Sequence, residues 1–125
     1  MPPKDAFADL VCELLSPMGD VCARRMFGGY GVYCDGVMMA LITDEEVLYL
    51  RTDERTRTAY EALDLPPFKP FADKPMTMPY HRPPDSVLDD GDEMLSWARP
   101  AYEAALRAKA AKKPKKQRAV LVGDN

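Results

Sequence analysis

A cluster of glycines beside two arginines, RRMFGGYGVYCDG from Arg24 to Gly36, is the stretch whose residue types best suit phosphate binding. A dinucleotide-binding fingerprint needs G-x-G-x-x-G between a strand and a helix, but counting from Gly29 the third glycine position holds Cys34. A phosphate loop needs Gly-Lys followed by Ser or Thr, which is missing, and a hairpin rather than a helix follows. The pattern therefore favours a structural role, in which Gly28 and Gly29 allow a bulge or sharp twist within one strand.

The other reactive side chains form no catalytic arrangement in the sequence. His81 is the only histidine, and no Gly-x-Ser-x-Gly elbow accompanies it. The acidic run DDGDE, residues 89–93, lacks the ligand spacing of an EF-hand and suits the start of a helix instead. Cys12, Cys22 and Cys34 form neither a C-x-x-C pair nor an even-numbered disulfide framework, which predicts reduced thiols. We therefore predict no catalytic residue, no cofactor and no metal site, and a protein that is not an enzyme.

The composition is typical of one compact cytoplasmic domain. The chain has 125 residues, 46% of them hydrophobic, which leaves room for one core and hardly for a second. The longest apolar run, VMMALI at 37–42, is too short to cross a bilayer, and the N-terminus lacks the pattern of a secretion signal. We expect a folded domain at 1–110 and a basic, disordered tail at 111–125.

The charges are unevenly distributed along the chain. Residues 1–106 contain 10 basic and 19 acidic residues, whereas residues 107–125 contain 7 basic residues and 1 acidic one. Such a tail can contact phosphates, but it has no aromatic side chain on which a base would stack. If the tail is more than a solvated segment, we expect weak, salt-sensitive and sequence-indifferent nucleic-acid binding through Lys112, Lys113, Lys115, Lys116 and Arg118.

Periodicity and turn signals in the first half predict a helix, three strands and a second helix. Apolar residues recur at helical spacing from Phe7 to Leu15. The dipeptide at 35–36, Asp-Gly, lies between two apolar runs and predicts a two-residue hairpin loop. After the third strand, Thr52 or Asp53 is expected to cap the second helix.

The second half adds two strands and a last helix. Pro79 indicates that its strand lies at the edge of the sheet, and Pro100 predicts a kink or a break in the last helix. The element order is α-β-β-β-α-β-β-α. It predicts a two-layer α+β domain with one five-stranded antiparallel sheet and helices mainly on one face.

The hairpin fixes a register that sorts the strand residues onto two faces. The expected pairs are Cys34–Val37, Val32–Met39 and Tyr30–Leu41, followed in the next strand by Ile42–Val47, Leu41–Leu48 and Met39–Leu50. One face is then apolar apart from one phenol and must be covered by helices: Tyr30, Val32, Cys34, Val37, Met39, Leu41, Leu48 and Leu50. The other face is mixed: Gly31, Tyr33, Met38, Ala40, Ile42, Val47, Tyr49 and Arg51.

The mixed face has no covering helix of its own in a two-layer domain, and large apolar patches of this kind usually mark interaction sites. Tyrosine, methionine and arginine are enriched at such sites. The candidate interaction face comprises Arg24, Arg25, Tyr33, Met38, Tyr49 and Arg51, although the adjacent Arg24 and Arg25 must point to opposite faces of a strand. We expect it to dock a partner protein or a second copy of the chain. The alternative is that the last helix or the proline-rich segment covers it.

Several of these motifs together resemble the TfoX (Sxy) N-terminal domain family. The resemblance rests on RMFGGYG at 25–31, DGVM at 35–38 and LYL at 48–50 before a helix, and MTMPY at 76–80 and Trp97-Ala98 also fit. It covers about residues 7–110. The resemblance implies a two-layer domain with one antiparallel sheet, similar to the secretion-chaperone-like fold, in agreement with the element order.

The resemblance also implies a class of function. TfoX regulates natural competence in bacteria together with the cyclic-AMP receptor protein at promoters, and full regulators of the family carry a second, C-terminal helical domain. Here the basic tail is expected in place of that domain, and the family offers no established catalytic residues. We therefore predict a non-catalytic regulatory or protein-interaction module, linked to transcriptional or competence regulation. The alternatives are a weak, tail-mediated nucleic-acid binder and a small-ligand-binding protein or enzyme of unknown reaction.

Overall fold

The computed structural model describes residues 3–26, 28–70, 74 and 77–124, and within these ranges it describes side chains from residue 6 to residue 111. The elements are α1 (Pro3–Leu15), β1 (Val21–Met26), β2 (Gly29–Cys34), β3 (Val37–Ile42), β4 (Leu48–Arg51), α2 (Arg57–Ala62), β5 (Pro67–Phe68), β6 (Met78–His81) and α3 (Gly91–Asp124). Short 3-10 turns follow α1 and precede α3. All strand pairs are antiparallel, in the order β1-β2-β3-β4-β6-β5, so the predicted α+β class is confirmed.

The described sheet has six strands, whereas five were predicted. The extra strand arises because the glycine cluster reverses the chain between β1 and β2, so that Met26 pairs with Gly29. Gly28 adopts a φ of +83°, which suits glycine far better than residues with a Cβ. At Gly29 a Cβ would collide with the carbonyl oxygen of Ile42, so only glycine lets β2 pass this close to β3. The cluster therefore builds a hairpin, and the expectation of a twist within one strand was wrong.

A β-bulge in β3 shifts the predicted register. Cys34 pairs with Val37 as expected, and Tyr33 pairs with Met38, but Val32 pairs with Ala40. Met39 is therefore the extra residue, and every later pair of β2 and β3 moves by one position. The predicted Val32–Met39 and Tyr30–Leu41 pairs were wrong.

A five-residue connection between β3 and β4 accounts for a second shift. The Thr43 hydroxyl accepts the N–H groups of Glu45 and Val47, and the Thr43 N–H donates to the Val47 carbonyl. This turn pairs Ile42 with Leu48, so the three predicted β3–β4 pairs were each wrong by one residue. The bulge and the longer turn compensate, and β4 keeps its predicted orientation.

As a result of the bulge, three residues of β3 lie on the sheet face opposite to the one predicted for them. Ala40 and Ile42 belong to the buried cluster beneath the helices, whereas Leu41 pairs with Tyr49 and takes the opposite face. The predicted assignment of Ala40, Ile42 and Leu41 was therefore wrong, since alternation alone cannot reveal a bulge. Met39 remains fully buried in the core.

The described helices all pack against one side of the sheet. From α1 and α3 come the residues that contact the sheet's apolar face: Ala8, Val11, Leu15, Met94, Ala98, Ala101 and Ala105. The alanines of α3 allow a close approach of helix to sheet. Short α2 joins this layer through Tyr60, whose ring lies 4.8 Å from that of Trp97. The likeness to the secretion-chaperone-like fold stays a prediction.

In the described structure α3 continues through Pro100, so the predicted break was wrong while the alternative, a kink, stays a prediction; the backbone is helical to Asp124. The domain boundary predicted at residue 110 falls within this helix. The side chains of Lys112, Lys113, Lys115, Lys116 and Arg118 lie outside those described, and their proposed contacts with nucleic acid stay a prediction.

Asp53 ties the turn before α2 to α3. Its Oδ1 accepts the N–H groups of Arg55 and Thr56, while the Thr56 hydroxyl accepts the N–H of Asp53. The N-cap of α2 is Thr56, whose side chain makes no capping bond, so the predicted capping of this helix by Thr52 or Asp53 was wrong; the Asp53 carboxylate instead holds the turn that precedes α2. Its Oδ2 accepts a 2.7 Å hydrogen bond from Arg107 Nε, and this bond is the main cause that lowers the pKa of Asp53 from 3.8 to about 2.

Replacing Asp53 by alanine is expected to lower the free energy of unfolding by about 1–2 kcal/mol at neutral pH, because its hydrogen bonds within the turn before α2 and its ion pair with Arg107 are both lost. Since folding lowers the pKa of Asp53, its contribution is complete above the unfolded pKa and declines as pH falls from about 4 towards 2. Urea unfolding across this range measures the difference between the two proteins. It should shrink with acid, whereas Asp44→Ala, at an exposed carboxylate, should change stability little at any pH. A difference that stays constant down to pH 2 would contradict the assignment.

Candidate interaction face

The face of the sheet opposite the helices is called the open face. Antiparallel partners share a face, and here the pairs include Tyr33 with Met38, Leu41 with Tyr49 and Arg51 with Tyr80. The register places on the open face Arg24, Met26, Gly31, Tyr33, Met38, Leu41, Tyr49, Arg51, Phe68, Met78 and Tyr80. Its composition is aromatic and methionine-rich, with two arginines.

Five of the six predicted interaction residues lie together on this face, and Arg25 is the exception. Arg25 pairs with Tyr30 on the helix side of the sheet edge, and its guanidinium lies 5.8 Å from the Tyr30 ring centroid. Strand alternation requires this separation from Arg24.

Gly31, on β2 beside the edge strand β1, forms a depression in the open face. A Cβ at this position would lie 2.8 Å from the Met26 sulfur, 3.2 Å from the Met38 methyl carbon and 3.2 Å from Tyr33 Cε1. The three side chains therefore converge above the glycine. Since methionine side chains are flexible and polarizable, this part of the face can adapt its shape to an apolar group.

Both arginines of the open face lie against tyrosine rings. The Arg24 guanidinium lies 4.9 Å from the Tyr33 ring centroid, and that of Arg51 lies 5.5 Å from the Tyr80 centroid. Within the part of the chain that the structure describes, neither arginine forms an ion pair with a carboxylate. The face thus presents two cations whose charges no described acidic residue offsets at contact distance.

The proline-rich segment covers part of the open face. Phe68 of β5 packs on Tyr49 with ring centroids 5.0 Å apart, in a tilted arrangement. Tyr33, Met38 and Tyr49 remain half-buried, while Tyr80 is only 5% exposed. The predicted alternative, in which the proline-rich segment covers the open face, is therefore found in part, at the side of that face next to β5.

Tyr80 and Phe68 belong to this face but were not among the predicted residues. The alternation in MPYH shows that Met78 and Tyr80 share a side of their strand, yet it does not show which sheet face that is. The choice depends on β6 pairing with β4, a contact between segments separated by α2. The local signal in this strand, Pro79, predicted a sheet edge, but β6 lies between β4 and β5, so that prediction was wrong.

His81 forms a buried hydrogen bond that links the ends of β4 and β6. Its Nδ1 lies 3.0 Å from the Thr52 hydroxyl oxygen, and its ring lies 5.2 Å from that of Tyr60. Burial lowers the pKa of His81, because the charged imidazolium would lose its hydration. The lowered pKa favours the neutral ring at this buried end of the sheet.

The described residues contain no group of three or more histidine, cysteine, aspartate or glutamate side chains placed to hold a metal ion. Within the same residues, no helix is long and apolar enough to cross a membrane. The described cysteines are free, with Cys34 buried and Cys22 exposed on β1.

The fold and this surface define a class of small α+β domain, in which helices cover one face of an antiparallel sheet and aromatic, methionine and arginine side chains occupy the other. A family model described as the TfoX N-terminal domain matches residues 13–105 of the 125. The chain therefore belongs to the TfoX N-terminal domain family, and the matched region includes every described strand. A search of curated proteins found no match.

Proposed function

We propose that the chain is a non-catalytic regulatory or protein-interaction module of the TfoX N-terminal type, and that its open face docks a protein partner. Membership of the family supports the type of domain. A link to transcriptional or competence regulation is part of this proposal. A cytoplasmic location is also proposed, since free cysteines suit a reducing compartment.

The observation that carries this proposal is the composition of the open face. Tyr33, Met38 and Tyr49 are half-buried on a sheet face that the described helices leave uncovered. Tyrosine, methionine and arginine are the residue types enriched in protein interfaces, because they combine large contact areas with polar groups.

The charge of the face indicates what kind of partner fits. Arg24 and Arg51 lack carboxylate partners within the described residues, so the docking surface is expected to supply carboxylates beside apolar groups. Such charge pairs strengthen when an interface excludes water. Two kinds of partner meet this description. One is a separate acidic protein, and the other is a second copy of the chain, in which residues 1–106 are predominantly acidic.

The Tyr49→Glu variant tests the docking face. A carboxylate at the centre of an apolar interface should abolish association, because it would be buried without a partner. Sedimentation velocity over a wide concentration range measures self-association. If the chain is monomeric, retention of a partner from cytoplasmic extract on the immobilised chain provides the same comparison.

Two further variants make the test specific. Met38→Glu adds the same charge to the open face where Phe68 does not pack, so it should also abolish association while leaving the domain folded. Leu106→Glu adds the charge to an exposed position of α3, where Leu106 is 39% exposed, and should leave association unchanged. The proposal fails if partner binding survives both open-face variants, or if the wild-type chain binds nothing and Tyr49→Glu simply unfolds.

A further inference from the structure

A cleft of about 350 Å³ lies beside the end of β4, where β6 and the turn before α2 come together. Its lining combines two arginines with hydroxyl, imidazole and apolar groups: Arg51, Thr52, Arg57, Met78, Pro79 and His81. Its volume lies within the range of small-molecule sites, about 300–1,000 Å³.

Arg51 carries a buried N–H in this cleft for which the described residues offer no acceptor. Its Nε is buried and has no hydrogen-bond partner among those residues. No described carboxylate pairs with it, and its described interaction is with the Tyr80 ring at 5.5 Å. A buried guanidinium N–H without an acceptor is unfavourable, because it has lost water and gained nothing in exchange. An oxyanion placed in the cleft would satisfy it.

The lining contains two arginines and two carboxylates, and no described carboxylate offsets Arg51 at contact distance. The carboxylate of Asp53 is already occupied by Arg107 and by backbone N–H groups. The Nε of Arg57 lies 3.7 Å from Oε2 of the exposed Glu61 carboxylate, a distance too long for a hydrogen bond. The N–H groups of Arg57 therefore remain available to a ligand. Glu54 is the remaining acidic residue of the lining, and it is exposed to solvent.

We propose that this cleft binds a small organic anion, in which a carboxylate or phosphate group is attached to an apolar skeleton. Arg51 binds the oxyanion in a bidentate manner, and Arg57 adds a second positive charge. The apolar part of the ligand packs on Met78, Pro67 and Pro79. The proposal goes beyond the docking role, because it assigns a small-molecule site to the cleft. Arg51 and Met78 are the residues that the cleft shares with the open face.

Titration with phenyl phosphate and with phenylacetate tests the site and distinguishes the two oxyanions. Binding is followed through the Nε–H resonance of Arg51 and the amide resonances of Thr52 and Met78. We expect saturable shifts of these signals with at least one probe. Arg51→Met keeps the aliphatic stem and should weaken binding at least about tenfold, the loss of a charge-assisted hydrogen bond. Arg57→Gln, at an exposed side chain, should weaken it severalfold.

Arg24→Met is the matched control, because Arg24 also lies against a tyrosine ring on the open face but lines no part of this cleft. It should bind both probes as the wild type does. The proposal is overturned if neither probe produces a saturable shift, or if Arg51→Met and Arg57→Gln both bind as tightly as the wild type. Arg57→Gln should leave protein association intact, whereas Met38→Glu should leave anion binding intact, so failure of one role is distinguishable from failure of the other.

Discussion

Replacing Leu50 by alanine is expected to lower the free energy of unfolding by about 2–5 kcal/mol. Leu50 is fully buried at the centre of the sheet, where it pairs with Ala40 on one side and His81 on the other. Truncation removes apolar contacts and leaves a cavity that strands paired on both sides cannot easily close. Urea unfolding monitored by circular dichroism measures the loss.

Leu63→Ala provides the matched control, because it makes the same chemical change at a side chain that is 56% exposed. It should alter stability by no more than about 0.5 kcal/mol. Equal effects of the two substitutions would contradict the placement of β4 at the centre of the core.

The local parts of the fold could be predicted from the sequence because local patterns encode them. The Asp35-Gly36 loop fixed the Cys34–Val37 pair, and the alternation of LYLR placed Tyr49 and Arg51 opposite Leu48 and Leu50. Each of these depends on residues only a few positions apart.

The register beyond the hairpin could not be predicted, because it depends on an inserted residue and on side-chain bonds in a turn. Met39 bulges without any change in the apolar pattern of VMMALI, where every residue suits either face. The Thr43 hydroxyl lengthens the following turn by bonding to two backbone N–H groups. The spacing of apolar residues in the sequence reveals neither the bulge nor the length of the turn.

The candidate cleft could not be predicted for a different reason. Arg51 and Met78 are distant in sequence, and they meet only because β6 pairs with β4. The sequence also could not show that the Nε of Arg51 would be buried without a carboxylate among the described residues, since the chain is rich in acidic residues that could have paired with it. A buried N–H without an acceptor can be recognised only when the hydrogen-bond and ion-pair partners of the neighbouring residues are known.

Gly29→Ala is expected to cost about 3 kcal/mol or more of unfolding free energy, a large effect for the addition of one methyl group. The new Cβ would collide with the carbonyl oxygen of Ile42 and lie 3.0 Å from its carbonyl carbon and 3.1 Å from that of Thr43. These are backbone atoms held by the β2–β3 ladder, so they cannot move aside as a flexible side chain would. The strands must separate locally, and the pairs around Tyr30 and Ile42 weaken together.

Gly91→Ala separates this steric effect from the general consequences of replacing glycine. The nearest atom to a Cβ at Gly91 is Leu14 Cδ2 at 3.9 Å, an ordinary contact, and the residue opens α3, where alanine is a better helix former. We therefore expect Gly91→Ala to be neutral or slightly stabilising in the same unfolding experiment. Amide hydrogen exchange should locate the damage of Gly29→Ala in β2 and β3, with faster exchange near the chain reversal than at the Cys34–Val37 end. If Gly29→Ala is as stable as the wild type, the strands do not approach as closely as described, and the glycine cluster has some role other than building this hairpin.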